Sequence, residues 1–127
     1  MRVLLIASAL ALALGCQPPP GPAKASISRA ALAAELKKGA TPVILDVRTP
    51  EEYRAGHIPG SVNVPLDQLA ARLPELGIAK SDEVVVHCER GPRAAQAEAL
   101  LTKDGYEHVV DLEGHMKGWR ESGLPVE

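Results

Sequence analysis

Residues 83–93 read Glu83-Val84-Val85-Val86-His87-Cys88-Glu89-Arg90-Gly91-Pro92-Arg93. Three consecutive β-branched residues suit a buried strand. The run then breaks into five polar or turn-forming residues, and residues 93–103 follow as an Ala- and Leu-rich helix stopped at Gly105. A cysteine between a strand and a helix start faces unpaired N–H groups and a positive partial charge. That setting favours thiolate over thiol and also holds a bound oxyanion. Arg90 and Arg93 add positive charge, and Glu89 opposes them. A small hydrophobic cysteine at a strand end is the competing reading. The thiolate reading requires a sulfhydryl that is ionised near neutrality and open to solvent.

The same alternation extends on both sides. Ser28 caps a helix that Gly39 stops, and residues 43–47 form a short buried strand. Thr49-Pro50-Glu51-Glu52 starts a helix, with Thr49 as N-cap, Pro50 in the first turn and Glu52 closing a capping box; Gly56 ends it. Residues 57–65 make a turn and a very short strand, and residues 66–73 carry helical Leu spacing. Residues 108–112 form a further strand, followed by a last short helix over 114–121 carrying Trp119. Strands alternating with helices predict a three-layer α/β domain, its central sheet mostly parallel and flanked by helices. Chemistry in such sheets collects at the carboxyl ends of strands.

Length and composition agree with one domain. The chain has 127 residues, 46% hydrophobic and 24% charged, and the only aromatics are Tyr53, Tyr106 and Trp119. Val, Leu, Ile and Ala must therefore build the core, with Trp119 filling volume beneath the last helix. Fourteen basic and sixteen acidic residues give −2 with no basic stripe, which argues against nucleic-acid binding.

The N-terminus is expected to lie outside the fold. Residues 3–14 form an uncharged apolar run, shorter than the roughly 20 residues a bilayer span needs, so residues 1–15 read as a signal peptide. Its end, Ala13-Leu14-Gly15-Cys16, resembles a bacterial lipobox in Gly15 and Cys16. The usual motif differs in having Leu at position 13 and a small residue at 14. That resemblance implies lipid on Cys16 and a membrane anchor. Ordinary cleavage releasing a soluble protein is the competing expectation. Residues 16–25 form the lipid-attachment site and a Pro-rich linker, a stiff spacer of roughly 20 Å through residues 17–22, and the domain runs over 26–127. Gln17, in place of the Asp linked to inner-membrane retention, implies outer-membrane sorting within the cell envelope. Loss of residues 1–15 leaves a net charge of −3, and lipidation of Cys16 leaves Cys88 as the one free thiol.

Asp46-Val47-Arg48, Glu51-Glu52-Tyr53, Gly56-His57-Ile58-Pro59-Gly60-Ser61, the Cys88 loop, and Gly114, Trp119 and Gly123-Leu124-Pro125-Val126 together resemble the rhodanese-like family over residues 28–127. The resemblance implies a sulfurtransferase. Cys88 takes sulfane sulfur from thiosulfate or a polysulfide as a covalent persulfide and passes it to a thiol or cyanide. No metal or other cofactor takes part. The loop residues Glu89, Arg90, Gly91, Pro92, Arg93 and Ala94 hold the donor.

Where relatives commonly resemble Cys-Arg-Ser-Gly-x-Arg-Ser, this chain has Glu89, Arg90 and Ala94 in place of the first Arg and the two Ser. Glu89 is expected to weaken capture of a dianion and Arg90 to strengthen it, and Pro92 removes one N–H donor. Asp46 and Arg48 are expected either as a structural ion pair or as a brace for the loop. His57 is read as organising the Pro59-Gly60 turn. His108 and His115 lack metal-ligand spacing with Cys88.

A non-catalytic carrier or partner-binding module is the alternative. A phosphatase or arsenate reductase would resemble Cys, five residues, Arg, but only four separate Cys88 from Arg93. A monomer or weak dimer is expected.

Overall fold

The computed structural model describes Gly15 and residues 25–127. The leader, the lipidation at Cys16 and the linker expected from the sequence otherwise lie outside the described residues. The elements are β1 (Ser26–Ile27), α1 (Arg29–Lys37), β2 (Val43–Asp46), α2 (Pro50–Ala55), β3 (Val62–Asn63), α3 (Leu66–Arg72), β4 (Glu83–His87), α4 (Pro92–Lys103), β5 (His108–Leu112) and α5 (His115–Glu121), with a 3-10 turn at Leu73–Glu75 after α3. The sheet order is β1-β5-β4-β2-β3, and every neighbouring pair runs parallel.

Local chemistry starts and stops these elements largely as the sequence reading expected. The Ser28 side chain accepts the Ala31 N–H at the start of α1. At α2, Thr49 and Glu52 satisfy each other's backbone N–H groups in a complete capping box. Two differences stand out. The strand Ser26–Ile27 was not foreseen, because two residues are too few for any periodicity. Helix α4 begins at Pro92 rather than Arg93, since proline lacks the N–H that a first-turn residue leaves unpaired anyway.

Successive residues of the central strands point to opposite faces, so each continuous apolar run serves two cores. On one face Leu45, Val84 and Val86 pack with Leu69 of α3 and Ala94, Ala97 and Leu101 of α4. On the other, Ile44, Val85, Val110 and Leu112 pack with Leu32 of α1 and Met116 and Trp119 of α5. Trp119 is fully buried, as expected of the one large aromatic, and its indole N–H donates to the Pro125 carbonyl at 2.8 Å. The sheet is therefore covered on both faces, and the end of central strand β4 emerges where α4 and α5 both begin.

Candidate active site

Strand β4 pairs on both sides, with β2 and with β5, so its carboxyl end is among the most constrained points of the fold. Cys88 is the next residue. Gly91, at φ +126°, turns the chain back into α4. That turn brings the Gly91 N–H to 3.0 Å from the Cys88 Sγ, and the amides of Ala94 and Arg90 also favour its anion. Helix α5 fixes the same loop from behind: the Met116 and Lys117 N–H groups donate to the carbonyls of Cys88 and Glu89, each at 3.0 Å. Burial pushes the Cys88 thiol up. The hydrogen bonds from His115 and from the Ala94, Gly91 and Arg90 amides outweigh it and bring the pKa down to about 7.

The expectation of a solvent-open thiol is corrected here: Cys88 has 0% exposure. Its side chain joins the Val86, Ala94 and Ala97 core face, and the loop folds over it. The cover is thin, because Arg90 is exposed and Gly91 only half-buried.

The structure brings Asp46 and Arg48 together. They form a buried two-pronged pair, with Arg48 Nε 3.0 Å from Oδ1 and Nη2 2.8 Å from Oδ2, and Nη2 also donates to the Gly56 carbonyl. Arg48 Nη1 then reaches the Glu89 carboxylate at 3.5 Å and braces the loop. Glu89 is further held by Arg120 of α5. Its charge is thus compensated by two arginines, and its carboxylate is engaged away from the sulfur. Arg93 is also engaged, donating to Glu52 at 2.6 and 3.0 Å. The Arg93 guanidinium holds the Glu52 carboxyl down at about 2. Of the two loop arginines, Arg90 is the exposed one. Ala94 contributes its amide, and Pro92 none. His57 stacks on Tyr53, and its Nδ1 lies 3.0 Å from the Tyr53 carbonyl, at the base of the 58–61 turn.

Sequence spacing related His115 to nothing. The structure places its Nδ1 3.3 Å from the Cys88 N–H and its Nε2 3.5 Å from Asp111 Oδ1. Residue 115 has φ +53°, a left-handed conformation that side chains other than Gly seldom adopt. The signal available in the sequence was slight: a histidine directly after Gly114, where the last strand turns into a helix.

A parallel α/β sheet that delivers one cysteine into an amide-lined loop between strand and helix defines a small class of domains. The family model described as Rhodanese-like domain matches residues 28–122. The chain belongs to the rhodanese-like family. It is 37% identical over 84 residues to a protein named Sulfurtransferase from Allochromatium vinosum, covering 66% of this chain and 77% of that protein. It is 37% identical over 70 residues to Thiosulfate sulfurtransferase PspE of Escherichia coli, covering 55% and 67%. The crystal structure of the Alr3790 protein from Anabaena sp. is similar at TM-score 0.74 and 32% identity, covering 80% of this chain and 81% of that one. The chain spans 44% and 40% of two other curated relatives, so in those the matching region is part of a longer protein.

Proposed function

We propose that this protein is a sulfurtransferase that carries sulfane sulfur as a persulfide on Cys88. The observation that carries the reading is the ring of amides around a thiol held near pH 7. The Cys88 thiolate attacks the outer sulfur of thiosulfate or of a polysulfide. With thiosulfate the S–S bond breaks, sulfite leaves with the electron pair, and a persulfide anion remains. The Arg90, Gly91 and Ala94 N–H groups then hold the added negative charge. An acceptor attacks the outer persulfide sulfur and returns Cys88 to thiolate. Because the thiol is covered, Glu89, Arg90 and Gly91 must shift for the donor to enter. The names of relatives at about 37% identity support the reaction class.

The test is thiocyanate formation by the purified protein from thiosulfate and cyanide. Turnover that disappears in Cys88→Ser supports the reading, and absence of turnover with every sulfane donor overturns it.

The closed thiol favours a second reading, a carrier or partner-binding module that transfers sulfur slowly or not at all. A persulfide that forms but is never discharged selects it. The reading also includes an exported domain on a lipid anchor at Cys16, facing the periplasm. Labelled palmitate incorporated by the wild type and not by Cys16→Ala tests that part.

A further inference from the structure

Three observations converge on His115. Its backbone sits at φ +53°, directly after Gly114 at φ +81°, so a residue with a bulky side chain occupies a conformation natural to glycine. Its side chain is 9% exposed, and its ring lies between Cys88 and Asp111, with Nδ1 accepting the Cys88 N–H at 3.3 Å and Nε2 3.5 Å from Asp111 Oδ1. The active-site loop leaves room for the ring: a Cβ on Gly91 would stand 3.2 Å from His115 Nε2. A strained backbone that persists at a site, holding an oriented imidazole against a candidate nucleophile, calls for a role of the side chain.

We propose that His115, oriented by Asp111, takes the proton from an incoming thiol and so makes thiols the preferred sulfur acceptors of the Cys88 persulfide. The inference rests on the sulfurtransferase reading above. Loading from thiosulfate moves no proton, since thiolate and dianion become persulfide anion and sulfite. Amide donors suffice for that step. Discharge to a thiol is different. His115 takes the R–SH proton on Nδ1, whose lone pair otherwise accepts the Cys88 N–H, and becomes imidazolium while Nε2 stays toward Asp111. The resulting R–S⁻ attacks the outer sulfur of Cys88–S–S⁻, the Cys88 S–S bond breaks, and its electron pair stays on Sγ. R–S–S⁻ departs, leaving a Cys88 thiolate beside a protonated His115. Cyanide anion brings no proton and makes no such demand.

The charged groups around the ring are suited to this exchange. Burial pulls the imidazole down. The Cys88 sulfur, Asp111 on β5 and Glu98 on α4 pull it up, and the net direction is upward. The buried His87 of β4 is itself held down, by burial first and also by the charge of His115.

The test uses the full chain and two variants that tolerate the left-handed backbone. His115→Gly removes the ring, and His115→Asn keeps an acceptor for the Cys88 N–H without a proton to exchange. Each protein is loaded with thiosulfate, and the persulfide is confirmed by intact mass. Its discharge is then timed against glutathione and against cyanide at matched free-anion concentration, from pH 6 to 9. The expected result is a thiol-to-cyanide rate ratio at least about tenfold lower in both variants. Their thiol rates should also climb with the acceptor's own ionisation up to pH 9. A ratio unchanged in both variants overturns the proposal. A ratio that falls in Gly and not in Asn also overturns it, because positioning alone would then suffice. A wild type that loads no sulfur defeats the sulfurtransferase reading itself, and the proposal with it.

Discussion

At the scale of single residues, the site depends on how the sulfur of Cys88 is solvated by protein in place of water. Three amides and His115 stabilise its anion more than burial penalises it. Alkylation by iodoacetamide should therefore titrate with a midpoint near the thiol's pKa of about 7. Below the midpoint the thiol is protonated and the rate should fall about tenfold per pH unit; above it the rate should level off. A midpoint near 9 would mean that the amide ring does not act on the sulfur. Gly91 is the second critical residue. Gly91→Ala forces a side chain onto φ +126° and crowds His115. Loss of about 1–3 kcal/mol of stability is expected, together with a slower loading of Cys88, read by urea denaturation and intact mass. Cys88 was legible in the sequence because its neighbours change character abruptly. His115 was not, because its contact crosses 27 positions and its positive φ leaves no mark on residue type.

At the scale of elements, the loop is suspended between three helices. Glu52 of α2 both closes the Thr49 capping box and grips Arg93 of α4. The first role was readable from the Thr49-Pro50-Glu51-Glu52 spacing. The second was hidden, since nothing local in the sequence links residues 41 positions apart. Glu52→Gln keeps a capping side chain while releasing the Arg93 charge near the sulfur. The expected outcome is a KM for thiosulfate about two- to threefold lower at low salt, an advantage that disappears at high salt. An unchanged KM at every ionic strength would show that Arg93 does not reach the donor. Glu89 has a parallel history. Read alone, it opposed anion binding; in the fold it is tied to Arg48 and Arg120 and joins the loop to the segment that follows β2 and to α5.

At the scale of the whole molecule, the alternating strand and helix signals were sufficient for the α/β class. They could not supply the parallel β1-β5-β4-β2-β3 order, because strand order is set by packing rather than by any run of residues. The face carrying α1 and α5 depends on one large side chain. Trp119→Ala should lower Tm by more than about 10 °C, since emptying a fully buried tryptophan site costs roughly 3–5 kcal/mol. The tail adds a clasp: His57 and Glu127 exchange backbone hydrogen bonds at 3.0 and 2.9 Å, and Pro125 accepts the indole N–H. Truncation after Gly123 should reproduce a smaller part of the Trp119→Ala loss in the same melting experiment.

Intact mass spectrometry of the purified protein, before and after incubation with thiosulfate or polysulfide, tests the persulfide account most directly. A gain of about 32 Da is expected that maps to Cys88, is removed by cyanide and is absent in Cys88→Ser. A wild-type mass that does not change with either donor, while Cys88 remains alkylable, would contradict it.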